Sequence, residues 1–218
     1  MDFSPVLISI KTAAAAIFIT FFLGITIAAL ITDVKNNHIK KLADGIFALP
    51  LVLPPTVAGF FLLLIFGVEG PVGKPLLEFF AVKIVFSWEA TVLAAVTISF
   101  PLMYRSARGA FEQIDPVFAY AARTLGMSEQ RIWLRVILPQ AMPGIAGGGV
   151  LAFARGLGEF GATAMIAGNI AQKTRTLPLA IYSETAAGNL DTALNYVVII
   201  TLVCFIIVTV INYFLDIK

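Results

Sequence analysis

Charge is scarce in this chain: only 13% of its 218 residues are Asp, Glu, Lys or Arg, whereas 59% are hydrophobic and the mean hydropathy is +0.94. Such a composition excludes an ordinary soluble domain and identifies an integral membrane protein. Cysteine is limited to Cys204, so one chain can form neither a disulfide framework nor a thiolate metal site. Histidine is limited to His38, which lies beside Asn36, Asn37 and Lys40 and reads as a solvated loop residue. The sequence contains no HExxH, no GxSxG and no Cys/His cluster, which removes the visible routes to a membrane protease or metalloenzyme. No catalytic or metal-ligating residue is therefore assigned. A net charge of +2 without long basic runs gives no reason to expect nucleic acid as a partner.

A hydrocarbon core about 30 Å thick needs about 20 apolar residues per helix. Five stretches satisfy this requirement, near 12–32, 46–66, 84–103, 143–168 and 196–215, within one transmembrane domain covering 1–218. The first is too long, and too quickly followed by others, for a cleaved signal peptide. All five are expected to be helices, since lipid cannot satisfy an open backbone and period-two alternation is absent. The expected fold class is an all-α integral membrane protein. Basic residues are retained on the cytoplasmic side. One arrangement puts nine inside (Lys35, Lys40, Lys41, Arg105, Arg108, Arg123, Arg131, Arg135 and Lys218) and five outside (Lys11, Lys74, Lys83, Lys173 and Arg175). The N-terminus is then expected outside and the C-terminus inside the inner membrane.

"GVEGPVGKP", Gly67 to Pro75, imitates a phosphate loop. Val68 stands where the first glycine belongs, however, and Pro75 replaces the hydroxyl residue after Lys74, so the segment reads as a turn.

The stretch 108–140 interrupts the apolar pattern. Asp115 followed by Pro116 is a helix start, and Gly126 is a natural stop. Ser128 is expected to cap a second short helix ending near Pro139, with Arg131 and Arg135 on one face and Ile132, Trp133, Val136 and Ile137 on apolar faces. An interfacial amphipathic helix against anionic headgroups would use the same residue types.

The spacing Ala121, Ala122, three residues, Gly126, nine residues, Val136, one residue, Leu138, Pro139 resembles the EAA loop of ABC importer permeases. The resemblance implies a type I importer permease with a helix-turn-helix that docks into a cleft of a cytoplasmic ATPase. Its contact residues would be Tyr120, Ala121, Ala122, Arg123, Gly126, Arg131, Leu138 and Pro139. The glutamate that names the motif is replaced by Tyr120, so an ion pair from that position is absent.

The fourth stretch, "FARGLGEFGATAMIAGN", carries Arg155 and Glu159 four residues apart at a depth where ionisable groups face a bundle interior or a water-filled cavity. An internal salt bridge and a role in the pathway or gate are both open. Gly144, Gly147, Gly148, Gly149, Gly156, Gly158 and Gly161 keep this helix thin. Together with "NIAQKTRTLPLAIY" and the proline-rich "LPLVLPPTVAGFFLLLIFG" from Leu49, the stretch resembles the molybdate permeases. Sulfate/thiosulfate permeases share its Glu-aromatic-Gly element and remain the alternative substrate class; a scaffold that recruits a soluble partner is the alternative outside transport. Pro54, Thr56, Ser99, Arg155, Glu159 and Thr163 are candidates for the translocation pathway, because a tetrahedral dianion needs hydrogen-bond donors. By resemblance, the partners are a second copy of the chain, two ABC ATPase subunits and an extracytoplasmic oxyanion-binding protein, all around a lipid bilayer. ATP and Mg would be bound by the ATPase subunits, and this chain would hold no cofactor.

Overall fold

The computed structural model describes residues 2–215, and Lys218, counted on the inner side, lies outside them. The described residues are helical or irregular, without strands. Helix α1 (Ser4–Thr32) starts with Pro5 in its first turn and spans about 43 Å at 1.5 Å per residue, enough for a hydrocarbon core. Helix α2 (Asn37–Val52) is capped by Asn36, whose Oδ1 accepts from the His38 and Ile39 amides at 2.9 and 3.4 Å.

The stretch 46–66, expected as one helix, is broken. Helix α3 (Pro55–Phe66) leaves α2 at an angle of 111°. Pro54 and Pro55 supply no N–H, and a residue before proline is pushed out of the helical region; Leu53 accordingly sits at φ −69°, ψ 143°. The phosphate-loop look-alike forms a turn and then the short helix α4 (Gly73–Phe80), with Lys74 Nζ 3.5 Å from Glu69.

Helix α5 (Trp88–Glu112) is capped by Ser87 and runs nine residues beyond the expected 103. Helices α6 (Pro116–Thr124) and α7 (Glu129–Ile132) follow. A π-helical turn, Trp133–Ile137, joins α7 directly to α8 (Leu138–Leu157). The second short helix therefore does not end near Pro139. Pro139 follows directly on the π-helical turn, where the regular i→i−4 bonding is already interrupted and Leu138 N–H donates to Trp133 O, so the segment from Glu129 to Leu157 continues as one rod.

The stretch 143–168 is not one helix either. It stops at Leu157, breaks over Gly158 to Phe160, and resumes as α9 (Gly161–Ile166). Helices α10 (Leu177–Ala186) and α11 (Leu190–Leu215) complete the described chain. Four long apolar helical segments and the bent α2–α3 pair thus supply up to five crossings.

Two cores stack along α5. Ile25 and Ala28 of α1, Met103, Tyr104, Ala107 and Phe111 of α5, and Ala141, Ile145 and Ala152 of α8 form one. The other joins Ala58 and Leu62 of α3, Ala90, Ala94 and Ile98 of α5, and Ala162, Ile166 and Ala167 in and after α9. Hydroxyls stitch α1 to α5, with Thr12 and Thr91 Oγ1 atoms 2.9 Å apart and Thr20 Oγ1 3.2 Å from Ser99 Oγ.

Candidate coupling surface and interior polar site

The knob between α5 and α8 is built by local rules. Asp115 Oδ1 accepts from the Val117 amide at 2.9 Å, and Pro116 begins α6. At the other end, Met127 N–H donates to Ala122 O at 3.1 Å and Gly126 N–H to Arg123 O at 2.9 Å. Those two bonds are a Schellman closure, with Gly126 at φ +76°, a left-handed conformation that penalises any Cβ.

Across the turn, Arg123 holds Glu129 with two bonds, Nε to Oε1 at 2.6 Å and Nη2 to Oε2 at 2.9 Å. The Arg123 guanidinium also lies 5.6 Å from the Tyr120 ring centre. Hydrogen bonding to the Glu129 carboxylate raises the Arg123 pKa further above its ordinary value. Only Ala122 and Ile132 are buried here, and Trp133 and Ile137 pack against the lower core. Arg131 and Arg135 are both exposed, as is Pro139, whereas Leu138 is half-buried.

Ala121, Val117, Phe118, Tyr120, Leu125 and Leu134 are also exposed. Leu125 retains 82% of its surface and Tyr120 62%, so a knob with rigid ends presents apolar side chains outward. That combination suits a protein cleft better than a lipid headgroup layer, because the arginine nearest the apolar rim is already neutralised by Glu129.

Behind the knob, a charge network that sequence reading missed ties α2 to α5. Arg108 contacts Asp44 and donates to Glu112 at 3.1 Å, Lys40 Nζ lies 3.0 Å from Glu112, and Tyr104 O–H donates to Asp44 at 2.6 Å. Helix α2 buries none of its residues, so these contacts and the Phe47 ring against Phe100 and Tyr104 hold it. The Arg108–Glu112 pair has the four-residue spacing of a helix face, but no spacing rule links α2 to α5 across 60 or more positions, which is why the tie between them was invisible beforehand.

The interior candidates fall into two groups. Arg155 and Glu159 meet, with Nη1 2.8 Å from Oε2, an ionic contact outside hydrogen-bond geometry. The Glu159 side chain is 1% exposed and that of Arg155 30%. The pair does not lie on one helix face as expected, because α8 ends between them; Glu159 instead accepts from the Ala162 amide at 2.8 Å and caps α9. Pro54 and Thr56 are exposed at the start of α3, and Gly161 approaches the same turn, where an added Cβ would stand 3.0 Å from Pro55 and 3.2 Å from the Thr56 nitrogen. The structure therefore brings Pro54, Thr56, Glu159 and Arg155 to one junction.

Thr163 is buried in α9, and Ser99 is buried against α1, donating to Ala95 O at 2.7 Å. Thr91 and Thr97 likewise donate to carbonyls on their own helix. Among the described residues, no group of three or more His, Cys, Asp or Glu side chains is arranged to hold a metal ion.

Comparison with known proteins agrees with this architecture. The chain is 43% identical over 189 residues to the molybdenum transport system permease protein ModB of Escherichia coli K12, covering 86% of this chain and 82% of that protein. It is 42% identical over 181 residues to ModB of Mycobacterium tuberculosis, covering 83% and 68%. Among solved structures, an inward-facing form of the methionine ABC transporter MetNI superposes with a TM-score of 0.75 at 15% identity, covering 97% of this chain and 93% of that one. The all-helical fold is thus that of type I ABC importer permeases, and the chain is a multi-pass transport component rather than an enzyme. Residues 20–217 match the model of the binding-protein-dependent transport system inner membrane components, and the chain belongs to that family.

Proposed function

We propose that this chain is the permease subunit of an ATP-driven importer that carries molybdate, and with it tungstate, across the inner membrane by alternating access. The observation that carries the substrate is the identity of 42–43% with molybdenum permeases over most of the chain. Supporting the coupling role is the knob closed at Gly126, whose apolar rim of Val117, Phe118, Leu125 and Leu134 is exposed.

One chain carries one such knob, so two copies would be needed to engage two ATPase subunits, with an oxyanion-binding protein delivering substrate on the opposite face. The homodimer, the outside N-terminus and the inside C-terminus belong to this reading. ATP and Mg would be held by the ATPase subunits, and hydrolysis there would move the knob from Tyr120 to Pro139. The switch needs a bistable element in the permease, since a ligand shifts an equilibrium only by its differential affinity for the two states.

At the interior junction, Thr56 offers a hydroxyl, a group that suits a tetrahedral dianion, whereas the Val57 and Ala58 amides at the start of α3 are already bonded to Pro54 O at 2.9 and 3.2 Å. Glu159 brings a buried carboxylate to that junction, and its pairing with Arg155 offsets the repulsion a free carboxylate would exert.

Uptake of isotopically labelled molybdate into proteoliposomes that contain the permease, its ATPase partner and the cognate binding protein tests the proposal. ATP-dependent accumulation that unlabelled tungstate competes away and sulfate does not is the expected result. Competition by sulfate alone would transfer the chain to the sulfate/thiosulfate class, and accumulation without ATP would refute an ATP-driven importer.

A further inference from the structure

The Thr12–Thr91 and Thr20–Ser99 contacts set α1 and α5 side by side and parallel. On one flank of that seam, Ile19 and Leu23 of α1, Val92 and Val96 of α5, Phe66 at the end of α3 and Ile84 line a cleft of about 470 Å³. Trp88 and Glu89, at the start of α5, are the only lining residues that carry a polar side-chain group. Ile19 and Leu23 keep 39% and 46% of their surface exposed, so the cleft opens sideways, toward the surroundings of the bundle.

The size of the cleft separates its possible occupants. From Trp88 to Val96, α5 rises about 12 Å at 1.5 Å per residue, close to the roughly 15 Å of hydrocarbon in one leaflet. Spread over that length, the volume gives a mean cross-section of about 40 Å², half that of a helix about 10 Å across. A helix of a second copy is therefore too wide to fill the cleft, whereas an extended acyl chain fits. Such a chain restores the dispersion contacts that an unfilled gap forfeits.

The polar end supplies headgroup chemistry. Trp88 Nε1–H donates to Thr12 Oγ1 at 3.0 Å, which fixes the indole where the apolar cleft meets the membrane surface. Lys11 Nζ stands 4.0 Å from the centre of that ring rather than on a carboxylate. Glu89 is exposed at the same rim, with Lys11 and Lys173 within electrostatic reach. Among the described residues, no salt bridge takes up Lys11, Glu89 or Lys173. A phosphodiester is drawn to the lysines and an ammonium to the carboxylate, so a zwitterionic headgroup with a hydrogen-bonding amine satisfies both. A trimethylated amine cannot donate to Glu89, and a headgroup with phosphate alone leaves Glu89 unmatched.

We propose that this cleft binds one phosphatidylethanolamine from the leaflet on the Lys11 side, with an acyl chain beside the α1–α5 seam, its phosphate at Lys11 and its ammonium at Glu89. The bound chain is a wedge that ties Phe66 of α3 to α1 and α5. The site is independent of the transported anion and of which face of the membrane holds the N-terminus.

Native mass spectrometry of the intact complex, released from nanodiscs of equal parts phosphatidylethanolamine, phosphatidylcholine and phosphatidylglycerol, tests the proposal. One phosphatidylethanolamine per copy of this chain is the expected result, favoured over phosphatidylcholine by about two- to fivefold, the scale of an exposed ion pair. Glu89→Gln is expected to retain a lipid, lose that preference and raise the share of phosphatidylglycerol. Ile19→Trp, whose ring fills the cleft, is expected to lose the retained lipid, and its Tm should no longer rise when phosphatidylethanolamine is added back to delipidated complex. Equal retention of the three lipids by the parent, or a preference unchanged in Glu89→Gln, would overturn the headgroup assignment. An Ile19→Trp complex that holds its lipid as the parent does would overturn the cleft, and one that keeps the lipid but sheds a second copy would assign this face to a protein interface instead. Glu89→Gln lies at the exposed rim and leaves the packing intact, so its result stands even if Ile19→Trp fails to assemble.

Discussion

Arg123 grips both carboxylate oxygens of Glu129 across the Gly126 turn, at 2.6 and 2.9 Å, and so links the end of α6 to the start of α7. Both side chains are largely exposed, and exposed pairs contribute roughly 0–1 kcal/mol to stability. Arg123→Ala is therefore expected to leave thermal unfolding of the chain nearly unchanged while loosening the knob's geometry. The double exchange Arg123→Glu with Glu129→Arg should recover part of the lost ATPase stimulation. Equal loss in the single and double variants would place the role in the arginine itself rather than in the pair.

The closure at Gly126 leads to a second prediction. A β-branched side chain at φ +76° costs on the order of 1–2 kcal/mol, and the site has open space around it, so strain rather than collision is the effect. Gly126→Val is expected to insert normally yet lose stimulated ATP hydrolysis. Hydrolysis at the parent rate would remove the knob from the coupling path.

Glu159→Ala removes the cap of α9 and strands the Arg155 guanidinium at once. Breaking a buried pair costs roughly 3–5 kcal/mol, and the 30% exposure of Arg155 puts this case toward the lower end. Reversal at both positions, Arg155→Glu with Glu159→Arg, restores the ionic contact but not the cap, because arginine cannot accept from the Ala162 amide. Partial recovery of thermal stability with impaired transport is the expected outcome. Full recovery of both would show that the cap contributes nothing.

Orientation is open to direct labelling. In a Cys204→Ser background, a cysteine placed at exposed Arg131 should react with a membrane-impermeant maleimide only after the inner face is opened, and one at exposed Lys173 should react from outside. The reverse pattern would invert the topology.

How far the sequence reached differs between the knob and the interior. Helix capping and turn closure are local, so Asp115, Pro116 and Gly126 announced α6 and its stop correctly. The far end of the knob was misjudged because Pro139 was read as a terminator, whereas the π-helical turn just before it lets the helix continue through it. The second stretch was expected as one helix because apolarity alone could not reveal the 111° break at Pro54 and Pro55. At Arg155 and Glu159 the four-residue spacing found the right partners for an incomplete reason, since it assumed a continuous helix and missed the Ala162 cap. In the Lys40–Glu112–Arg108–Asp44 network only the Arg108–Glu112 pair, four residues apart on α5, is encoded by local spacing; the Lys40 and Asp44 links and the Thr12–Thr91 contact depend on tertiary packing.

The most direct measurement is ATP hydrolysis by the complete complex in liposomes, with molybdate, tungstate and sulfate each presented through the cognate binding protein. Stimulation by molybdate and tungstate, absent with sulfate and abolished by Gly126→Val, is the expected result. Hydrolysis indifferent to all three anions, or unaffected by Gly126→Val, would contradict a molybdate importer driven through this knob.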